Sequence, residues 1–148
     1  MDYLTTHDLV WINNSLTGKV NAYNYVTLEA AMAGQYSYGQ SENVPAQAAN
    51  LLERLLCSKP FSEGNIRTAF IAALSFLNAN GYATRADDTA AAAIVRAVAK
   101  GERSAAQAID ELAAPASETL PTTLTLRRLI SHECNLHVDA LKILSEGD

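Results

Sequence analysis

Glu63-Gly64-Asn65 runs directly into an apolar stretch that carries Arg67 near its start. Backbone N–H groups at such a helix start have no partner within the helix, and the helix dipole is positive there, so they attract anions. Gly64 lets the backbone approach a ligand closely or take a positive φ. Arg67, one turn in, adds a forked donor matched to phosphate oxygens. Glu63 is a candidate ligand for Mg²⁺, which takes carboxylate oxygens and usually keeps several waters. The chemistry on offer is phosphate binding. The same residues also make a plain helix start, with Gly-Asn as turn residues, Glu63 near the cap and Arg67 on the surface.

The segments that must position this loop read as helices throughout. Thr6 is placed to cap a helix that carries Leu9, Ile12 and Leu16 on one face and ends before Gly18. A short helix is expected after Thr27, through Met32. Residues 34–43 are polar and rich in Gly, Gln, Ser and Tyr, as in an exposed loop or short hairpin. Pro45 opens the next helix, which aligns Ala48, Leu51, Leu52, Leu55 and Leu56 and stops before Pro60. From Thr68 to Leu77 the chain is apolar nearly all round, which predicts a helix buried in the middle of a bundle. Asn80-Gly81 ends it. Asp87 or Asp88 caps a further helix ended by Gly101, and Ser104 caps another through Ile109 and Leu112. The predicted class is all-α, with a buried central helix and a short flap before it.

The chain has 148 residues, enough for one sizeable core. It has no apolar run long enough for a transmembrane helix, and its first residues lack the basic start and apolar stretch of a signal peptide. Two cysteines, Cys57 and Cys134, make no disulfide framework, so the expected compartment is the reducing cytoplasm. A net charge of −5 argues against nucleic acid as a partner, because there is no basic stripe to release counterions. A single nucleotide in one local nest is compatible with it.

Lys59-Pro60-Phe61-Ser62-Glu63-Gly64-Asn65-Ile66-Arg67, continued by Thr68-Ala69, resembles the signature loop of the Fic/Doc (Fido) family, His-Pro-Phe-x-Asp/Glu-Gly-Asn-Lys-Arg. Pro60, Phe61, Glu63, Gly64, Asn65 and Arg67 match. Lys59 stands where the family has its catalytic histidine, and Ile66 where it often has lysine. Tyr3-Leu4-Thr5, Leu55-Leu56-Cys57-Ser58 and the run Phe76-Leu77-Asn78-Ala79-Asn80-Gly81-Tyr82 extend the similarity to the death-on-curing (Doc) subgroup over about residues 3–114.

The resemblance implies a Fido domain at 1–114, followed by a linker and a helical C-terminal extension at 115–148. It also implies transfer of AMP, or in Doc toxins of phosphate, onto a hydroxyl of a target protein, often with an antitoxin as partner. Mg²⁺ with ATP or another nucleotide would be the cofactors. By position, Glu63 would hold the metal and Gly64, Asn65 and Arg67 the phosphates. Tyr36, Ser37 and Tyr38 would belong to a flap that clamps the target by strand addition. Lys59 would occupy the place of the base.

A general base must be unprotonated at the working pH. A free lysine, with a pKa near 10.4, is neutral in roughly one molecule per thousand at pH 7. The expected function is therefore nucleotide or phosphate binding with impaired transfer, acting through the nucleotide or a partner protein. The alternatives are an active nucleotidyl- or phosphotransferase using Lys59 or a histidine from elsewhere, and a structural interaction domain with a vestigial loop.

Beyond the resemblance, residues 113–121 read as a linker. Leu126, Ile130, Cys134, His137, Leu141 and Leu144 then fall at helical spacing, with a strand at 123–128 as the competing assignment. Such a stripe covers either the chain's own body or a second copy. Some Fido proteins carry an inhibitory helix built around Ser/Thr-x-x-x-Glu-Gly/Asn. Here Lys142 precedes Glu146-Gly147 at the Ser/Thr position, so that motif is absent. His132, Cys134 and His137 are zinc donor types at a spacing that fits no zinc pattern, and His7 reads as a surface or capping residue.

Overall fold

A computed structural model describes residues 1–37, 41–116 and 125–148. The chain begins with α1 (Thr6–Thr17) and α2 (Tyr25–Met32), the latter running into a single 3-10 turn at Ala33–Gln35. Next come α3 (Val44–Ser58) and α4 (Asn65–Ala79), then a short strand β1 (Tyr82–Thr84). α5 (Asp88–Ala99) and α6 (Ala105–Leu112) precede β2 (Ala113–Pro115), and α7 (Leu126–Leu136) and α8 (Val138–Leu144) complete the described elements. The class is all-α, as the periodicity predicted. The one sheet among the described residues is the antiparallel β1–β2 pair, with Ala83 opposite Ala114. Among these residues no helix is long and apolar enough to cross a membrane.

α4 is the axis. Every residue from Thr68 to Leu77 is buried, and Phe70, Ile71, Leu74, Phe76 and Leu77 are at most 2% exposed. Each such side chain contributes about 1.5–3 kcal/mol on burial, so this helix is stable only when covered on all sides. α3 supplies the cover on one side through Leu51, Leu52, Leu55 and Leu56, α1 through Leu9 and Ile12, and α5 through Ala91, Ala92 and Val95. Local signals set the ends. Asn43 caps α3 with Pro45 in its first turn, Asp87 caps α5, and Ser104 caps α6.

Several expectations shift. The cap of α1 is Thr5, not Thr6: Thr5 accepts from Asp8 N–H while the Asp8 carboxylate accepts from Thr5 N–H. The start of the polar 34–43 segment is not an exposed loop, because Gly34 and Gln35 are buried. Gln35 bonds both backbone groups of Leu4, and its own carbonyl accepts from Gln47 Nε2. Residues 38–40, including Tyr38, lie outside the described residues. Ala113 to Pro115, read as linker, pairs as β2; residues 117–124 also lie outside the described residues. The C-terminal stripe is two helices broken at His137, and helix replaces strand from Leu126 onward. Ile130, Ala140 and Leu144 are fully buried in the same core as α4. The chain's own body covers these residues of the stripe.

Candidate anion site at the start of α4

The signature loop is held from below by α1 and the segment after it. Asn13 is fully buried on the core-facing side of α1, where its amide donates to Glu63 O at 2.9 Å and to Thr68 Oγ1 at 3.1 Å. Asn21 donates to Asn13 Oδ1 and to Thr17 Oγ1, which ties the turn after α1 into the same network. Phe61 bridges Tyr23 in an isolated antiparallel pair, Ser62 N–H donates to Ala22 O, and Pro60 O accepts from Asn24 N–H. A buried polar network of this kind fixes one backbone geometry, since each lost partner leaves a costly unsatisfied group.

Gly64 caps α4 at φ +79°, and no side chain caps that helix start. A Cβ there would lie 2.6 Å from Thr17 Cγ2 and 3.0 Å from Asn13 Nδ2. Glycine is required twice over, for its φ and for space. Asn65, expected to bind phosphate, spends its side chain within the loop instead. Its amide accepts from Phe61 N–H and donates to Phe61 O, stapling the loop to itself.

Two backbone N–H groups in the first turn of α4 converge with the Arg67 side chain on one anion, and it is the chain's own. The Asp148 carboxylate accepts from Ile66 N–H at 2.8 Å, from Arg67 N–H at 3.1 Å and from Arg67 Nε–H at 3.0 Å. The Asp148 side chain is 3% exposed and that of Arg67 13%. The Arg67 guanidinium also donates to Leu16 O. The inhibitory motif is absent from the C-terminal segment, yet a carboxylate two residues past Glu146 occupies the anion nest. Sequence spacing gave no sign of it, because the partners lie 81 and 82 positions apart.

Beside the nest is a cavity of about 260 Å³ lined by Lys59, Ser62, Glu63, Asn65, Lys100 and Asp148, among others. Lys59 follows α3 in a left-handed conformation and is exposed. Lys100, at the end of α5, adds a second cation. Glu63 pairs with Lys19 at 2.7 Å, both side chains well exposed, a contact of at most about 1 kcal/mol. Its carboxylate is thus available to a competing cation.

No histidine lines this cavity. His7 and His132 are exposed, and His137 is buried between α5 and α7, bonded to Asp88. The zinc donor trio does not assemble: among the described residues no group of His, Cys, Asp and Glu could hold a metal ion. Burial, reinforced by the Glu133 charge, pushes the Cys134 thiol up to about 11, away from the thiolate that zinc needs. Tyr36 packs its ring 4.7 Å from Tyr3, which in turn stacks on Phe76. Phe76 is ten residues beyond Ile66, roughly 15 Å along α4 from the nest.

The Fic/DOC family model matches residues 3–77, a span that takes in α1 to α3, the whole signature loop and most of α4. No curated protein and no solved structure matches the chain.

Proposed function

The chain belongs to the Fic/DOC family, and from that premise we propose that it is a Doc-type member that binds a phosphorylated ligand, with a nucleotide as the leading candidate, and is impaired in transfer. The observation that carries this reading is the convergence of Ile66 N–H, Arg67 N–H and Arg67 Nε–H on a single carboxylate, beside a cavity edged by Lys59 and Lys100. A carboxylate and a phosphate present oxygens of similar charge and spacing to such donors, so a nest that fits one accepts the other.

The cavity of about 260 Å³ is below the roughly 300–1,000 Å³ of small-ligand sites. A whole nucleotide needs Gly147 and Asp148 to withdraw. Lys59 then serves as a phosphate donor, since a protonated ammonium offers three N–H groups and cannot take a proton from an attacking hydroxyl. Lys100 adds charge from the end of α5. Glu63 is the residue that would hold Mg²⁺, giving up its exposed pair with Lys19. The metal would neutralise phosphate charge. A protein partner, target or antitoxin, is part of the same Doc-type reading.

Two measurements test it. Calorimetric titration of the chain with a non-hydrolysable ATP analogue and Mg²⁺ is expected to show weak binding that Arg67→Ala removes. No binding at millimolar analogue, even with Asp148→Ala, would defeat the proposal in favour of a vestigial loop. Labelled ATP with a cell lysate is expected to leave no modified protein, and a labelled hydroxyl would instead establish an active transferase.

A further inference from the structure

α8 brings Asp148 to the nest, and α5 grips α8 at both ends. At the start, His137 Nδ1 lies 2.9 Å from Asp88 Oδ1, in the first turn of α5. At the finish, the Arg96 guanidinium donates to Ile143 O at 2.7 Å and to Glu146 O at 2.6 Å. Gly147, at φ +79°, then turns the chain so that Asp148 meets Ile66 and Arg67.

The His137 end contains a buried titratable pair that takes no part in the nest. The His137 side chain is 4% exposed, and Nε2 lies 3.1 Å from Oε2 of Glu133, itself 3% exposed. That contact has ion-pair distance but lacks hydrogen-bond geometry. The other Glu133 oxygen accepts from Asn78 Nδ2. The neighbouring elements present little else. α4 offers Phe70, edge-on to the imidazole, and the neutral Asn78; α7 adds the thiol of Cys134 beside Glu133; Asp139 on α8 is exposed.

Resting on the reading that the α4 nest is the ligand site, we propose that this carboxylate–imidazole–carboxylate clamp governs whether Asp148 closes the nest, so that proton loss from the clamp opens the ligand site. A protonated imidazole donates from Nδ1 to Asp88 and sets its positive charge against the Glu133 carboxylate. A neutral one keeps a single N–H. If Nδ1 retains it for Asp88, a bare Nε2 lone pair faces a buried Glu133 oxygen 3.1 Å away. Two acceptors at that distance repel, and the burial of both side chains leaves the repulsion little screened. Moving the start of α8 outward relieves the repulsion, and Asp148 lies on that same short segment.

The pH direction follows. Burial lowers the His137 pKa, but the carboxylates of Glu133 and Asp88 together outweigh it and hold the value above the ordinary 6.5. The clamp is therefore fully formed below about pH 6.5 and is lost as pH rises through the higher folded value.

The test follows the Ile66 and Arg67 amide resonances together with the His137 ring from about pH 6 to about pH 9. Both amides are expected to move with the midpoint of His137 itself. In His137→Gln they should hold the high-pH position throughout. Amides that ignore pH, or that titrate with a midpoint different from His137, overturn the clamp, and the wild type alone decides this should the variant not fold. The second arm titrates ADP into wild type and Asp148→Ala at both ends of the range, the ratio cancelling the titration of ADP. The wild-type deficit should shrink with rising pH, by up to about ten-fold for each pKa unit that docking adds to His137. Binding to Asp148→Ala with amides that ignore His137 removes the clamp and leaves the ligand reading standing. Amides that follow His137 without ADP binding to either form leave the clamp and remove the ligand reading.

Discussion

Lys59 is the one non-glycine residue among those described with a positive φ, 46°. That conformation costs an L-residue roughly 1–2 kcal/mol, and asparagine tolerates it best. Lys59→Asn is accordingly expected to leave stability unchanged or raise it by up to about 1 kcal/mol in urea unfolding. A loss beyond that would mean the lysine side chain supports the fold. Gly64 is the opposite case. Gly64→Ala meets both the positive φ and a 2.6 Å overlap with Thr17 Cγ2, and should cost about 2–4 kcal/mol. A urea midpoint near wild type would show that the loop can rebuild without its buried polar network. At this scale the sequence was informative wherever chemistry is local. Gly64 and Arg67 could be read from type and position, because a helix start needs a permissive residue and an anion needs donors. Asn13 left a weaker trace, a polar residue among Leu9, Ile12 and Leu16. Asp148 left none, since nothing in the chain links it to Arg67 before folding.

Among the elements, α4 was legible because an all-apolar helix has one place to go. The cap of α1 was legible to within a residue, since Thr5 and Thr6 are chemically equivalent and only geometry selects Thr5, whereas α2 starts at Tyr25 under an Asn24 cap, ahead of the expected start after Thr27. The β1–β2 pair was not legible: Ala113-Ala114-Pro115 has no strand pattern and pairs because Tyr82 to Thr84 is brought alongside it. α7 and α8 were legible as an apolar stripe but not in what they cover. Ile130 and Leu144 are fully buried, so Ile130→Ala and Leu144→Ala should each cost about 2–5 kcal/mol at any protein concentration. A cost that vanished on dilution of the wild type would point to a second copy instead. The clamp adds a pH signature. His137 is raised by Glu133 and Asp88 against the effect of burial, so it stabilises the fold below about pH 6.5 and progressively less as pH climbs through its folded value. Wild type should lose stability across that window relative to His137→Gln. Parallel profiles for the two proteins would assign no such role to the histidine.

For the whole molecule, a Fic/DOC chain carries Lys59 at the head of its loop, an anion nest at the start of α4, and the α7–α8 pair that delivers a carboxylate to that nest. The first two features were readable from residues 59–67 because they are consecutive. The third required the tertiary structure. The central claim is that the α4 nest takes a phosphorylated ligand in competition with Asp148. The most direct measurement is calorimetric titration of ADP and Mg²⁺ into wild type, Asp148→Ala and Asp148→Ala/Arg67→Ala. At about pH 6, where the clamp holds the nest closed, removing the internal carboxylate should tighten ADP binding by at least about ten-fold, the equivalent of one charge-assisted hydrogen bond of roughly 1.4 kcal/mol or more, and removing Arg67 as well should abolish the gain. Equal affinities in all three proteins, or no binding in any, would contradict it.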